Sequence, residues 1–133
     1  VSAHDDVVVH EPIAHSPPPS GANVALWFGV LMAPVAVLGG ESTAYVLVPD
    51  ACARQSSIFI HLVHLVVLLI VLAGFAICWR AWTGLGRREP GDEAGPDGRA
   101  RYMAFSGLLG NGFFALVVLA MWLATSLFSP CSA

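Results

Sequence analysis

The sequence predicts an all-α integral membrane protein of three transmembrane helices, the first two forming a hairpin. Three observations carry that expectation. Of 133 residues, 56% are hydrophobic and only 11% charged, whereas soluble domains hold about a quarter charged residues. Most of this surface is therefore suited to lipid rather than water. Second, Ile58 to Trp82 holds no Asp, Glu, Lys or Arg before Arg80, and at ~1.5 Å rise per residue such a run crosses the ~30 Å hydrocarbon core of a bilayer. Third, two further apolar runs flank it, separated by one short loop and one polar loop rich in Gly and Pro. The net charge of −3 gives no sign of nucleic-acid binding, which rests on basic surfaces.

Residues 1–20 read as a flexible or partner-bound tail. The stretch carries Asp5, Asp6, Glu11, three irregularly spaced histidines (His4, His10, His15) and Pro17-Pro18-Pro19. Triple proline favours extended backbone over helix. It has no basic start leading into an apolar stretch, so it does not read as a signal peptide, and the first helix is expected to stay in the membrane.

Residues 21–133 form the membrane domain. The first helix is expected over residues 23–48, with Pro34 inside it and Pro49-Asp50 closing it. Asp50 to Ser57 is too short to join anything but antiparallel neighbours. The second helix follows over 58–82, then the loop from Thr83 to Arg99, then the third helix over 101–128. Arg80, Arg87, Arg88, Arg99 and Arg101 cluster on or beside the second loop, while the first loop holds only Arg54. Basic residues are retained on the cytoplasmic side. The amino terminus and second loop are thus expected inside, the first loop and carboxyl terminus outside.

That topology puts Cys52 and Cys131 on the same, oxidising side, each just past a helix end. A disulfide between them would tie the hairpin to the third helix; the alternative is two thiols too far apart to meet. Cys78 falls near the reducing side and reads as a small packing residue.

Glu41 is the most informative single position, because a carboxylate within a span costs several kcal/mol unless it is paired, hydrated or protonated. Counted from the outer end of helix one it lies ~10 Å deep. His61 and His64 lie at comparable depth in helix two and share a face as i and i+3. The hairpin is expected to gather Glu41, Tyr45, His61 and His64 into one polar layer, with a Glu41–histidine hydrogen bond, His64 preferred. Such a layer would lock two helices together, conduct protons, or contact a cofactor-bearing partner. Haem ligation would need a second chain to supply the facing histidine.

Helix three carries Ser106, Gly107, Gly110 and Asn111. Ser106 and Gly110 make a small-xxx-small pair suited to close helix approach, and Asn111 can bond across helices. Phe113, Phe114, Met121 and Trp122 read as lipid or partner contacts. No catalytic set, phosphate-binding loop or metal-binding motif is present, and the soluble segments are too small for an enzyme domain. The expectation is a protein with no catalysis and no cofactor of its own.

Several short motifs together resemble a family. They are Leu47-Val48-Pro49-Asp50-Ala51-Cys52, His61-Leu62-Val63, Trp79-Arg80-Ala81-Trp82, Arg99-Ala100-Arg101-Tyr102 and Pro130-Cys131. From Trp27 to Cys131 the chain is similar to small three-helix membrane proteins encoded beside haem–copper cytochrome c oxidase genes in bacteria. The resemblance implies a setting in the respiratory, inner membrane and strengthens the pairing of Cys52 with Cys131. With it, the expected function is a non-catalytic accessory subunit of a membrane electron-transfer complex. Larger membrane subunits would be its partners, and haem and copper would reside in them. A transient assembly factor handling copper or haem is the alternative, as is a small oligomeric transporter or proton conductor using Glu41 and the histidines.

Overall fold

A computed structural model describes residues 20–86, 95–128 and Cys131. The expectations for the tail and for the middle of the second loop fall on residues outside that set. Three helices make up the fold: α1 (Ser20–Ala53), α2 (Ile58–Gly84) and α3 (Pro96–Leu127). Each is long and apolar enough to cross a membrane, and each packs on the other two. The chain is a multi-pass, all-helical membrane protein.

Two boundaries differ from expectation by five residues each, for identifiable reasons. Helix α1 runs through Pro49 to Ala53. Proline removes one N–H and crowds the carbonyl four residues back, but this does not end the helix. The stop comes at Gln55, whose φ is +52°. Ser56 N–H donates to the Ala51 carbonyl at 3.0 Å and Gln55 N–H to the Cys52 carbonyl at 3.3 Å, the paired bonds of a Schellman cap. Helix α3 starts at Pro96, five residues early, with Gly95 outside it at φ +136° and Asp97 in its first turn. Proline fits the first helical position, and an acid there meets the positive end of the helix dipole. Residues that read as loop punctuation are in fact a helix start.

The bundle is packed with small side chains. Ala33 and Val37 of α1, Val67 and Val71 of α2 and Val118 of α3 form one core cluster; Ala44, Ala51 and Ile60 form a second. Large apolar side chains such as Phe28, Leu38, Leu69, Leu116 and Phe128 point outward. In lipid there is no hydrophobic force to turn them inward, so helices associate by close fit and by hydrogen bonds instead.

One close fit lies where three glycines meet. A Cβ on Gly29 would come within 2.9 Å of the Cys78 sulfur, and one on Gly107 would overlap that same sulfur from the other side. Cys78 is fully buried between them, acting as packing rather than chemistry. One turn along α3 from Gly107, the buried Asn111 amide donates to the Gly29 carbonyl of α1 at 2.8 Å and to the Gly107 carbonyl at 2.6 Å. Its Oδ1 faces Gly74 of α2, where a Cβ would stand 2.5 Å away.

At the far end of the bundle, Cys52 and Cys131 form a disulfide, with Cα atoms 5.5 Å apart and a sequence separation of 79. A cross-link closing so long a loop stabilises by ~4 kcal/mol in the chain-entropy account.

Gly107→Ala is expected to destabilise the bundle by ~1–3 kcal/mol through overpacking. Gly110→Ala, whose added Cβ meets nothing within 4 Å, should change stability by less than ~0.5 kcal/mol. Denaturant titration in micelles distinguishes the two. Peptide mapping without reductant should recover Cys52 and Cys131 in one linked species, with Cys78 alkylated only after denaturation; free thiols at both positions would contradict the bridge.

Candidate functional site

Glu41, His61, His64 and Trp122 gather towards the disulfide end. Glu41 of α1 and His64 of α2 meet with Oε1 and Nε2 3.8 Å apart. This is ion-pair range but longer than a hydrogen bond, so the pairing with His64 occurs without the direct bond expected of it. The two partners differ in exposure: the His64 side chain is 5% exposed and that of Glu41 40%. Tyr45 points outward, 81% exposed, and takes part only as a wall of the cleft described below.

The histidine tautomers follow from their partners. His64 Nδ1 lies 2.9 Å from the Ile60 carbonyl. A carbonyl only accepts, so Nδ1 carries a hydrogen and donates it. That leaves Nε2, facing Glu41, to hold either a lone pair or a second proton. His61 is the reverse case. Trp122 Nε1–H donates to His61 Nδ1 at 2.9 Å, so that nitrogen is the acceptor. Nε2 is then the N–H of a neutral ring and donates to Ser57 Oγ at 3.3 Å. Both His61 nitrogens are thereby engaged, whereas His64 keeps one nitrogen directed at a carboxylate.

Trp122 therefore belongs to the polar layer rather than to lipid, correcting the reading of helix three. Its ring also stacks on His64, with centroids 6.5 Å apart. An indole N–H buried in an apolar span needs an acceptor, and the neighbouring histidines are the natural suppliers; that was the signal available in the sequence. Of the other aromatic and sulfur positions, Phe114 packs on the core, while Phe113 and Met121 are exposed.

Two clefts adjoin the layer. One, of about 340 Å³, lies between α1 and α3; Glu41, Tyr45, Ile60, His64, Met121 and Phe128 are among its walls. The other, of about 320 Å³, is polar and lies beside the disulfide, with Ser56, Ser57, His61, Thr125, Ser126 and Cys131 around it. His61 borders the second and His64 the first, so the paired histidines and Trp122 stand between a polar mouth and a largely apolar cleft. Among the described residues no group of three or more His, Cys, Asp or Glu side chains is placed to hold a metal ion.

The helix-three residues divide. Gly107 and Asn111 form the three-helix contact. Ser106 turns its hydroxyl back to the Tyr102 carbonyl at 2.7 Å, and Gly110 has open space beside it. The small-xxx-small pair used inside the bundle is Gly107/Asn111, one position on from Ser106/Gly110. No family model, curated protein or solved structure matches the chain.

Trp122→Phe removes the N–H but keeps the ring. It should cost ~1 kcal/mol of bundle stability, seen as a lower denaturation midpoint in micelles, and should release His61 from the single Nε2–H tautomer, read by nitrogen-15 NMR. An unchanged His61 tautomer would count against the assignment.

Proposed function

We propose that the chain is a non-catalytic accessory subunit of a membrane electron-transfer complex, of the haem–copper cytochrome c oxidase class, in the bacterial cytoplasmic membrane. The observation that carries this reading is the set of small residues the bundle leaves unused. Gly39 and Gly110 each have nothing within 4 Å of where a Cβ would stand. Gly39 and Thr43 line an open, nearly apolar groove with Leu62 and Val66 of the neighbouring helix. On another face, Ser106 and Gly110 present a second small pair. Surfaces of this kind let the backbone of another membrane helix approach closely. The bundle meets its own packing needs at other glycines, Gly29, Gly40, Gly74 and Gly107.

The oxidase setting rests on the short motifs from Leu47 to Cys131 that resemble proteins encoded beside oxidase genes. The arginines near the second loop support an orientation with that loop in the cytoplasm. The disulfide end, with its polar mouth, then faces the oxidising compartment, where a bridge such as Cys52–Cys131 persists. In this role the chain contributes helices that cover and steady larger subunits, which hold the haem and copper.

Extraction from the native membrane in mild detergent, followed by tag and size isolation, tests the proposal. A reduced-minus-oxidised spectrum should show haem bands in stoichiometric amount, with large partner chains present. Gly110→Leu should lose those partners while the bundle itself stays folded. A small colourless particle from the unaltered chain would overturn the reading and favour a transient assembly factor or an independent membrane protein.

A further inference from the structure

The geometry points to a ligand site in the cleft between α1 and α3: it takes a lipid-soluble molecule with a phenolic head, held by Glu41 and His64. This is independent of whether the chain belongs to a larger complex.

Three features define the ligand. First, His64 is buried, yet its Nε2 is directed at the Glu41 carboxylate 3.8 Å away without a hydrogen bond. One hydroxyl oxygen can lie against both atoms. When Nε2 also carries a proton, which makes the ring an imidazolium because Nδ1 already donates to the Ile60 carbonyl, the site offers one donor and one carboxylate acceptor. A phenolic hydroxyl has one hydrogen to give and lone pairs to accept with, so it matches both. Its O–H would donate to Glu41, and the imidazolium Nε2–H would donate to its oxygen.

Second, the walls suit an aromatic body. Tyr45 and Phe128 bring rings and Met121 a thioether to the cleft, and thioether sulfur packs favourably on ring edges. A volume of about 340 Å³ accommodates a single ring with its first substituents. Third, the cleft opens from the membrane-spanning part of the bundle, with Tyr45, Met121 and Phe128 exposed beside it. A ligand reaching it arrives through the lipid and so carries an apolar tail.

Among the described residues, no arginine lines the cleft. The titratable groups facing the pair are Tyr45 on its own helix and His61, held neutral between Trp122 and Ser57; α3 contributes Met121, Ala124 and Thr125 to the cleft, none of them charged.

The test uses the full chain in nanodiscs of phosphatidylcholine. It is titrated with para-decylphenol, with the methyl ether of that phenol, and with dioctanoylglycerol, and binding is read by ligand-observed NMR. The phenol should bind saturably, and the ether, which lacks the donor, at least about tenfold more weakly. Glu41→Leu should bring the phenol down to the level of the ether. Ala124→Phe, which fills the cleft without altering Glu41 or His64, should abolish binding of both; a matched change in the other groove, Leu62→Ala, should leave it intact. Equal binding of phenol and ether, no saturable binding, equal binding of dioctanoylglycerol, or retention in Ala124→Phe would each overturn the proposal. Failure here would leave co-isolation with a redox complex untouched, and the reverse also holds.

Discussion

Asn111 bonding to the Gly29 carbonyl is the contact on which the rest of the bundle depends. Its amide nitrogen joins α3 to α1 directly, and its amide oxygen lies against Gly74 of α2, so one side chain touches all three helices. The amide can do this only because glycines at positions 29, 74 and 107 remove the side chains that would hold the backbones apart. Cys78 then fills the remaining space. In lipid, where apolar surface gains little by turning inward, such close fit and a few buried hydrogen bonds set the arrangement. Everything towards the disulfide end inherits its register from this contact.

The polar layer illustrates the inheritance. His61 and His64 are three apart on one helix, yet their rings end in opposite tautomers. A backbone carbonyl fixes one and an indole from α3 fixes the other. Spacing alone assigns them equal roles. Their partners make one a closed structural link and leave the other facing a carboxylate that is half open to the membrane. The distinction between structure and chemistry at this site is thus one of which nitrogen is already committed.

Much of the fold was legible because its signals are local: long apolar runs, a short first loop, cysteines just past helix ends. The three helices, the hairpin and the meeting of Glu41 with His64 follow from those. The helix limits were less legible. Pro49 and Pro96 carry the same chemistry, but one lies within a helix and the other begins one, and the difference lies in the Gln55 cap and in Asp97 following Pro96. The role of Trp122 is hidden in the sequence because its partner is 61 positions away, and periodicity says nothing about contacts at that range. The small-residue pair was placed one position off for a similar reason. Ser106/Gly110 and Gly107/Asn111 have identical spacing, and only the sulfur of Cys78 and the carbonyl of Gly29 decide which faces inward.

The disulfide changes what kind of object the chain is. From Cys52 onward through α2 and α3 to Cys131 the backbone and the bridge together form a closed ring of covalent bonds. Any single break in the backbone between those cysteines opens the ring but leaves every helix attached to every other. The connection between α2 and α3 can therefore be severed without releasing a fragment, and α3 cannot leave the bilayer without drawing on the end of α1. The connection whose cutting would otherwise divide a three-helix protein in two is here one whose loss the molecule survives in one piece.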